Sequence, residues 1–296
     1  MTKLLIATDG SENSRLAQEF AAALPFPEKA SARLVAVTPL PVTLSEFYVE
    51  DVLFQQAHQI QNTVVAPRTT AEAEKLRSSF ANIATDLKIG DPAHEILASA
   101  KEHESDLIVI GARGLSAIPR ILLGSVSDWI CRHAPQSLLV VRPHVDEKVT
   151  QVHGTVPRRV LFAVDGSAGS LQAVRRLAAW KWPAGTTARA VLAFQKIRIF
   201  QPEQAFIDAE RQHADEVLAN VKSILAPAFT QVETAVLDAD QITHTIVSDA
   251  ESWKADLLVI GSRGMGRWER FFLGSTSLGI LHHAPCSIWV EKPTQP

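Results

Sequence analysis

Short apolar, β-branched runs punctuate the chain. In the first half they fall at 3–8, 33–38, about 82–89, 106–110 and 138–142, and stretches with helical periodicity separate them. The run LIVI (107–110) and its later counterpart LLVI (257–260) are unbroken, the pattern of a parallel strand covered on both faces. In the second half Val217, Leu218, Val221, Ile224 and Leu225 share one face of a 3.6-residue helix. Five strands alternating with four helices predict a doubly wound α/β domain with a five-stranded parallel sheet. Pro135 and Pro285 mark where the last helix of each half stops, since a proline cannot continue it.

The pattern occurs twice. KLLIATDGS (3–11) returns as RVLFAVDGS (159–167), SDLIVIGARG (105–114) as ADLLVIGSRG (255–264), and RHAPQSLLVV (132–141) as HHAPCSIWVE (282–291). The offset is 156 at Asp9 and Asp165 but 150 from Gly111 onward, so the first half carries six more residues in between. Residues 143–157, polar with prolines near both ends, read as a linker. The expectation is two tandem domains, 1–145 and 156–293, and 296 residues suit two cores.

Composition narrows the function classes. A net charge of −3 offers no basic field for DNA or RNA, so no nucleic-acid partner is expected. The two cysteines, Cys131 and Cys286, form no C-x-x-C, which argues against a zinc site or redox dithiol. The N-terminal apolar run is too short for a secretory signal, and no apolar run reaches the length needed to span a bilayer. A soluble cytoplasmic protein without a membrane partner is expected.

The candidate chemistry lies in a second repeat. Residues 111–125 read GARGLSAIPRILLGS and residues 261–275 read GSRGMGRWERFFLGS. Each is Gly-x-x-Gly, nine residues, then Gly-Ser, placed between an apolar strand and a helix. Gly111 and Gly114 are expected to turn the chain sharply and to let a ligand approach the backbone. Gly124 and Ser125 fall where free N–H groups and the positive helix end make an anion site, although Ser125 as a plain N-cap is the alternative. Asp9, ending the first strand, would sit beside this loop if the first and fourth strands are neighbours, and ligands of open α/β sheets bind at such carboxyl ends. Arg113 and Arg120 in one loop, and Arg263, Arg267 and Arg270 in the other, are candidate phosphate partners.

With these residues in view, the chain resembles a tandem member of the universal stress protein family, ATP-binding branch, over nearly all of both halves. The resemblance implies a Rossmann-like fold of strand order 3-2-1-4-5, with adenosine held by the aspartate ending strand 1 and a residue near the end of strand 2. Carried over by position, it implies Asp9, Val37, Gly111, Gly114, Gly124, Ser125, Val126 and Ser127 in the first half. In the second half it implies Asp165, Phe194, Gly261, Gly264, Gly274, Ser275, Thr276 and Ser277. It further implies ATP with Mg²⁺ carried on the phosphates, an unidentified protein partner, and pairing of the two last strands into an intramolecular pseudo-dimer, with a further homodimer open. The function implied is an ATP-binding stress-response regulator whose nucleotide occupancy biases conformation or partner choice. A slow ATPase or nucleotidyl transferase, and a nucleotide-independent interaction scaffold, are the alternatives. Efficient catalysis is not expected, because no G-x-x-x-x-G-K-[ST] occurs and each loop lacks an obvious base apart from Glu269.

The halves are expected to differ. Phe194 stands in the second half where Val37 stands in the first, Asp238-Ala239-Asp240 replaces Gly90-Asp91-Pro92, and Trp268, Phe271 and Phe272 crowd the second loop. Carboxylates approaching a triphosphate would repel it, so the first site is expected to be tighter, the alternative being that Phe194 stacks on the base and both sites bind alike. Histidines such as His133, near a helix C-terminus, are read as caps, and His213 as partly buried and structural.

Overall fold

The computed structural model describes residues 1–40, 50–114, 123–143, 156–195, 204–262 and 273–293. The first half runs β1 (Lys3–Thr8), α1 (Glu12–Ala23), β2 (Ser31–Pro39), α2 (Glu50–Ile60), α3 (Ala66–Leu76), β3 (Asn82–Gly90), α4 (Pro92–Glu102), β4 (Leu107–Gly111), α5 (Ser125–His133) and β5 (Ser137–Val141). A single π-helical turn, Gln61–Val65, joins α2 to α3 in one continuous rod. The second half repeats the plan with β6 (Arg159–Ala163), α6 (Ala168–Ala178), β7 (Thr187–Gln195), α7 (Gln204–Leu225), β8 (Gln231–Ala239), α8 (Ile242–Ser252), β9 (Leu257–Gly261), α9 (Ser275–His283) and β10 (Ser287–Glu291).

Each half has strand order 3-2-1-4-5, and the halves meet through their last strands in one ten-stranded sheet. All pairings are parallel except β5 with β10, which run antiparallel with Trp289 opposite Leu139. That pairing covers two edges that would otherwise present unpaired N–H and C=O groups. The apolar strands predicted at 107–110 and 257–260 are buried throughout, as parallel strands between two helix layers must be.

The sheet separates two apolar layers. One packs α1, α3, α6 and α7 through residues such as Ala17, Leu76, Leu177 and Leu218. The other packs α4, α5, α8 and α9 through Ile96, Ile130, Ile246 and Ile280. On the second-half side of the seam Trp289 is fully buried, with Trp180 edge-on at 5.3 Å and the Arg176 guanidinium 5.1 Å above its ring. Its indole N–H donates to Glu291 at 2.7 Å, and Arg176 pairs with the same carboxylate at 3.2 Å, so the buried charge is matched. Arg142, in the first half, donates to the carbonyls of Leu281 and His282 at the end of α9, where a cation meets the negative end of the helix. Burial, and then the neighbouring Arg113, pushes the Arg142 pKa down from its ordinary value.

Candidate functional site

The site grows from the pairing of β1 with β4, which brings Asp9 beside the chain leaving Gly111. Asp9 folds back so that Oδ1 accepts the Ser11 N–H at 2.9 Å, and Gly10 between them has φ +79. Only glycine takes that left-handed conformation without strain, and Gly166 repeats it in the second half. The Asp-Gly-Ser repeat carried this signal, yet the two glycines were not among the predicted site residues. Ser11 and Ser167 are the N-caps of α1 and α6, accepting from the N–H groups of Ser14 and Ser170.

The frame glycines work differently from the sequence expectation. Gly111 lies within β4 and makes no sharp turn; a Cβ there would come 2.9 Å from the Asn13 backbone at the start of α1. A Cβ on Gly114 would come 2.6 Å from Asp9 Oδ2, so this glycine makes room for the carboxylate. Gly124 is the N-cap of α5 with φ −64, an ordinary value, and a Cβ would meet nothing nearer than Arg113 Cα at 3.5 Å. The protein itself therefore does not require glycine at position 124.

What Gly124 leaves is an open helix start. Helices α1, α4 and α6 are closed by the side chains of Ser11, Asp91 and Ser167, whereas α5 and α9 begin at Gly124 and Gly274, and α8 at Gln241, with no side-chain cap. Ser125 and Ser275 are the first helical residues rather than caps. The Gly124 N–H donates to the Ala112 carbonyl at 2.8 Å, and the Gly274 N–H to Ser262 at 2.9 Å, so the loop closes on its own beginning. The Ser127 hydroxyl donates to the Gly111 carbonyl at 2.8 Å and the Ser277 hydroxyl to Gly261 at 2.9 Å. These two side chains tie the helix to the strand; their buried hydroxyls are already committed. Val126 and Thr276 follow the caps within the same first turns.

In the second half the arrangement bounds a cleft of about 270 Å³. Ala163, Ala193 and Ile260 come from the strands, Ile242 and Ile246 from α8, and Asp165, Gly261 and Gly274–Ser277 form the polar side. Asp165 Oδ1 accepts from the Ser167 N–H at 3.0 Å and the Ser170 hydroxyl at 2.8 Å. The cleft thus joins an apolar wall to a helix N-terminus, which suits a ligand with a flat apolar part and an anionic tail.

The Usp profile, described as the universal stress protein family, matches residues 1–142 and 157–292. The chain belongs to that family. Among its relatives, a universal stress protein of Thermus aquaticus is 34% identical over 142 residues, 47% of this chain and 97% of its own. One from Synechocystis is 29% identical over 151 residues, 47% of this chain and 97% of its own. A Mycobacterium tuberculosis member is 29% identical over 191 residues, 64% of this chain and 63% of its own. The crystal structure of a universal stress protein from Archaeoglobus fulgidus has a TM-score of 0.68 at 22% identity, covering 98% of both chains, which speaks for the fold.

Within this universal stress protein the structure corrects several sequence expectations. Val37 and Phe194 are not equivalent. Leu5 pairs with Arg33 as Leu161 pairs with Arg189, so the counterpart of Val37 is Ala193 and that of Phe194 is Thr38. Neighbouring strand residues face opposite ways. Phe194 packs with the α6–α7 layer under the Arg211 guanidinium at 5.8 Å, away from the cleft. Asp238 is held by Arg211 through both oxygens at 3.0 Å. His213 is exposed rather than partly buried. His133 Nδ1 does lie 2.8 Å from the Trp129 carbonyl, as a helix-end contact should. Both cysteines are buried, and desolvation pushes each thiol up to about 12, which makes them inert. Arg263, Gly264, Trp268, Phe271 and Phe272 lie outside the described residues, as do Arg120, Arg267 and Arg270. Among the described residues no helix is long and apolar enough to cross a membrane.

Proposed function

We propose that each half binds an adenine nucleotide at the carboxyl ends of its strands, and that occupancy biases conformation or partner choice rather than driving efficient turnover. One observation carries this reading: α5 and α9 start at glycines, with no side-chain cap, where Gly124 and Gly274 are hydrogen-bonded back to Ala112 and Ser262 just after β4 and β9, whereas α8, another uncapped helix start, has Gln241 at its N-cap. Such a start offers backbone N–H groups and the positive helix end to phosphates. The apolar cleft beside Asp165 supports a base and ribose at the other end of the same ligand. ATP is the nucleotide proposed, with Mg²⁺ held by its phosphates. In the first half Asp9, Gly111, Arg113, Gly114, Gly124, Ser125 and Val126 would surround it, with Val37 at the base; in the second, Asp165, Gly261, Gly274, Ser275, Thr276 and Ala193 would do so.

Efficient phosphoryl transfer needs a positioned nucleophile and charge stabilisation beyond backbone amides, and the described residues supply no such set. Turnover below roughly 1 s⁻¹, the low end for ordinary enzymes, is therefore expected. The reading is tested by calorimetric titration of ATP into the full chain and into Gly124→Val and Gly274→Val variants. Each variant is expected to lose one binding phase, and Gly124→Val should shift apo unfolding little, because a Cβ at Gly124 meets only ordinary contacts. Unaltered ATP binding in both variants would reject the site.

A further inference from the structure

Arg33 on β2 and Arg189 on β7 hold the same place in the two halves, pairing across to Leu5 and Leu161. Their surroundings differ. Arg189 is gripped by Asp249 of α8 in a two-point fork, Nε to Oδ2 and Nη2 to Oδ1, both 2.9 Å. Glu233, directly opposite on β8, adds a third contact at 3.2 Å. The hydrogen bond that Arg189 donates to Asp249 is the main reason its pKa lies above the ordinary value.

Arg33 has neither partner. The residue opposite it on β3 is Ala84, and the helix position matching Asp249 is Ser99. The Ser99 hydroxyl is turned to Asp86 Oδ2 at 2.6 Å, an oxygen that also has His103 Nε2 at 3.3 Å. Lys88 Nζ lies 3.7 Å from Asp86 and 2.9 Å from Glu102, and Lys3 is paired with Glu104 at 2.9 Å. The nearby carboxylates are thus committed to other cations. Among the described residues no hydrogen bond or ion pair reaches the half-buried Arg33 guanidinium. It opens instead into a cleft of about 260 Å³ at the N-terminal ends of the strands, shared with Lys3, Ser31, Asn82, His103 and Ser105.

We propose that this cleft is a binding site for a small carboxylate-bearing anion, which occupies on Arg33 the place that Asp249 fills on Arg189. A planar guanidinium takes a carboxylate through two parallel N–H···O bonds, and an arginine is more weakly hydrated than a lysine, so it suits such a half-buried post. Asn82, Ser31 and Ser105 supply neutral polar groups for the remainder of a short ligand. The volume falls below the roughly 300 Å³ at which drug-sized pockets begin, which limits the occupant to a few carbon atoms. The site is at the opposite end of the strands from Asp9 and Gly111, so it stands or falls independently of nucleotide binding.

The test is a titration of the isotope-labelled full chain with succinate, followed by amide chemical shifts, with inorganic phosphate as a second arm and sodium chloride at matched ionic strength as background. Saturable shifts at the N-terminal ends of β1, β2 and β3 are expected, with succinate tighter than phosphate. Arg33→Gln is expected to weaken binding by about tenfold or more, the loss of one charge-assisted pair. Ala84→Glu should do the same with the fold intact, because it installs the carboxylate that Glu233 already presents to Arg189. Arg189→Gln and Gly124→Val are expected to leave the response unchanged. The absence of saturable shifts with either anion, or unchanged binding in Ala84→Glu, overturns the site. Tighter binding of phosphate than of succinate overturns the carboxylate assignment.

Discussion

Beneath the turn after β1, the first half buries a polar network where the second buries hydrocarbon. Thr8 Oγ1 donates to Glu72 Oε2 at 2.9 Å, and Gln18 Nε2 reaches both Thr8 and Glu72 at 3.1 Å. Arg68 Nε lies 3.9 Å from the other Glu72 oxygen, and its guanidinium rests against Gly10. The matching positions are Val164 for Thr8, Val174 for Gln18 and Val221 for Glu72, all buried, while Val217 rests against Gly166 where Arg68 rests against Gly10. Two halves with the same turn, the same glycine φ of +79 and the same strand order thus stand on opposite chemistries. The fold does not require either solution. The polar one gives the first half a cation beside Asp9, and the valines give the second a simple core.

That comparison predicts a strong non-additivity. Glu72→Val alone leaves the one-third-exposed Arg68 without its carboxylate and takes an acceptor from the buried Gln18 amide and Thr8 hydroxyl, which keep their bond to each other, at an expected cost of about 1–3 kcal/mol. Transplanting the whole set of the second half, Thr8→Val with Gln18→Val, Arg68→Val and Glu72→Val, removes these side-chain groups together, at the loss of the Thr8 acceptor for the Gly10 N–H, and is expected to come within about 1 kcal/mol of the parent. Urea unfolding of the full chain checks both variants. A quadruple variant as unstable as the single one would show that the network stabilises the first half in its own right.

A smaller effect separates the two left-handed glycines. Alanine at either position is strained at φ +79, at a cost of about 1–2 kcal/mol. At Gly10 the obstacle is the far end of Arg68, which can swing away, whereas at Gly166 it is Cγ2 of Val217, 3.1 Å from the added carbon on a stiff β-branched side chain. Gly166→Ala is therefore expected to cost more than Gly10→Ala in the same unfolding measurement. The reverse order would show that the Arg68 guanidinium is held more firmly than its long side chain implies.

The legible parts of this molecule were those that recur over a few residues. The strands, the domain repeat and the glycine frame stood out because parallel strands are apolar on both faces and because each motif occurs twice. The seam was implied by the family resemblance, and two apolar last strands that would each leave an open edge agree with it. Phe194 misled because a single step along a strand reverses its face, and hydrophobicity near a strand end does not fix that step. The network of Thr8, Gln18, Arg68 and Glu72 carried no local pattern, being assembled from β1, α1 and α3. Only the valines that replace it made it conspicuous once the halves were superposed by register. The glycines of the frame were found for an incomplete reason: Gly111 and Gly114 clear space for Asn13 and Asp9, contacts that no spacing encodes.

The smallest effect concerns nucleotide affinity in the two halves. With Phe194 on the far face and Asp238 held by Arg211, neither feature weakens the second site as the sequence suggested. Among the described residues a further difference is Arg68 against Val217. A cation resting on Gly10 beside Asp9 favours the phosphates of ATP in the first half, yet it is one-third exposed and partly answered by Glu72, so water and salt screen it. We therefore expect the first site to be tighter by only a few-fold, below about 1 kcal/mol. The measurement is ATP titration of Arg68→Gln and Arg68→Lys, each in a Gly274→Val background that leaves only the first site. Arg68→Gln should lose the few-fold advantage and its dependence on salt, while Arg68→Lys keeps most of both. Equal affinities for the Gln and Lys variants would show that charge at this position does not distinguish the halves.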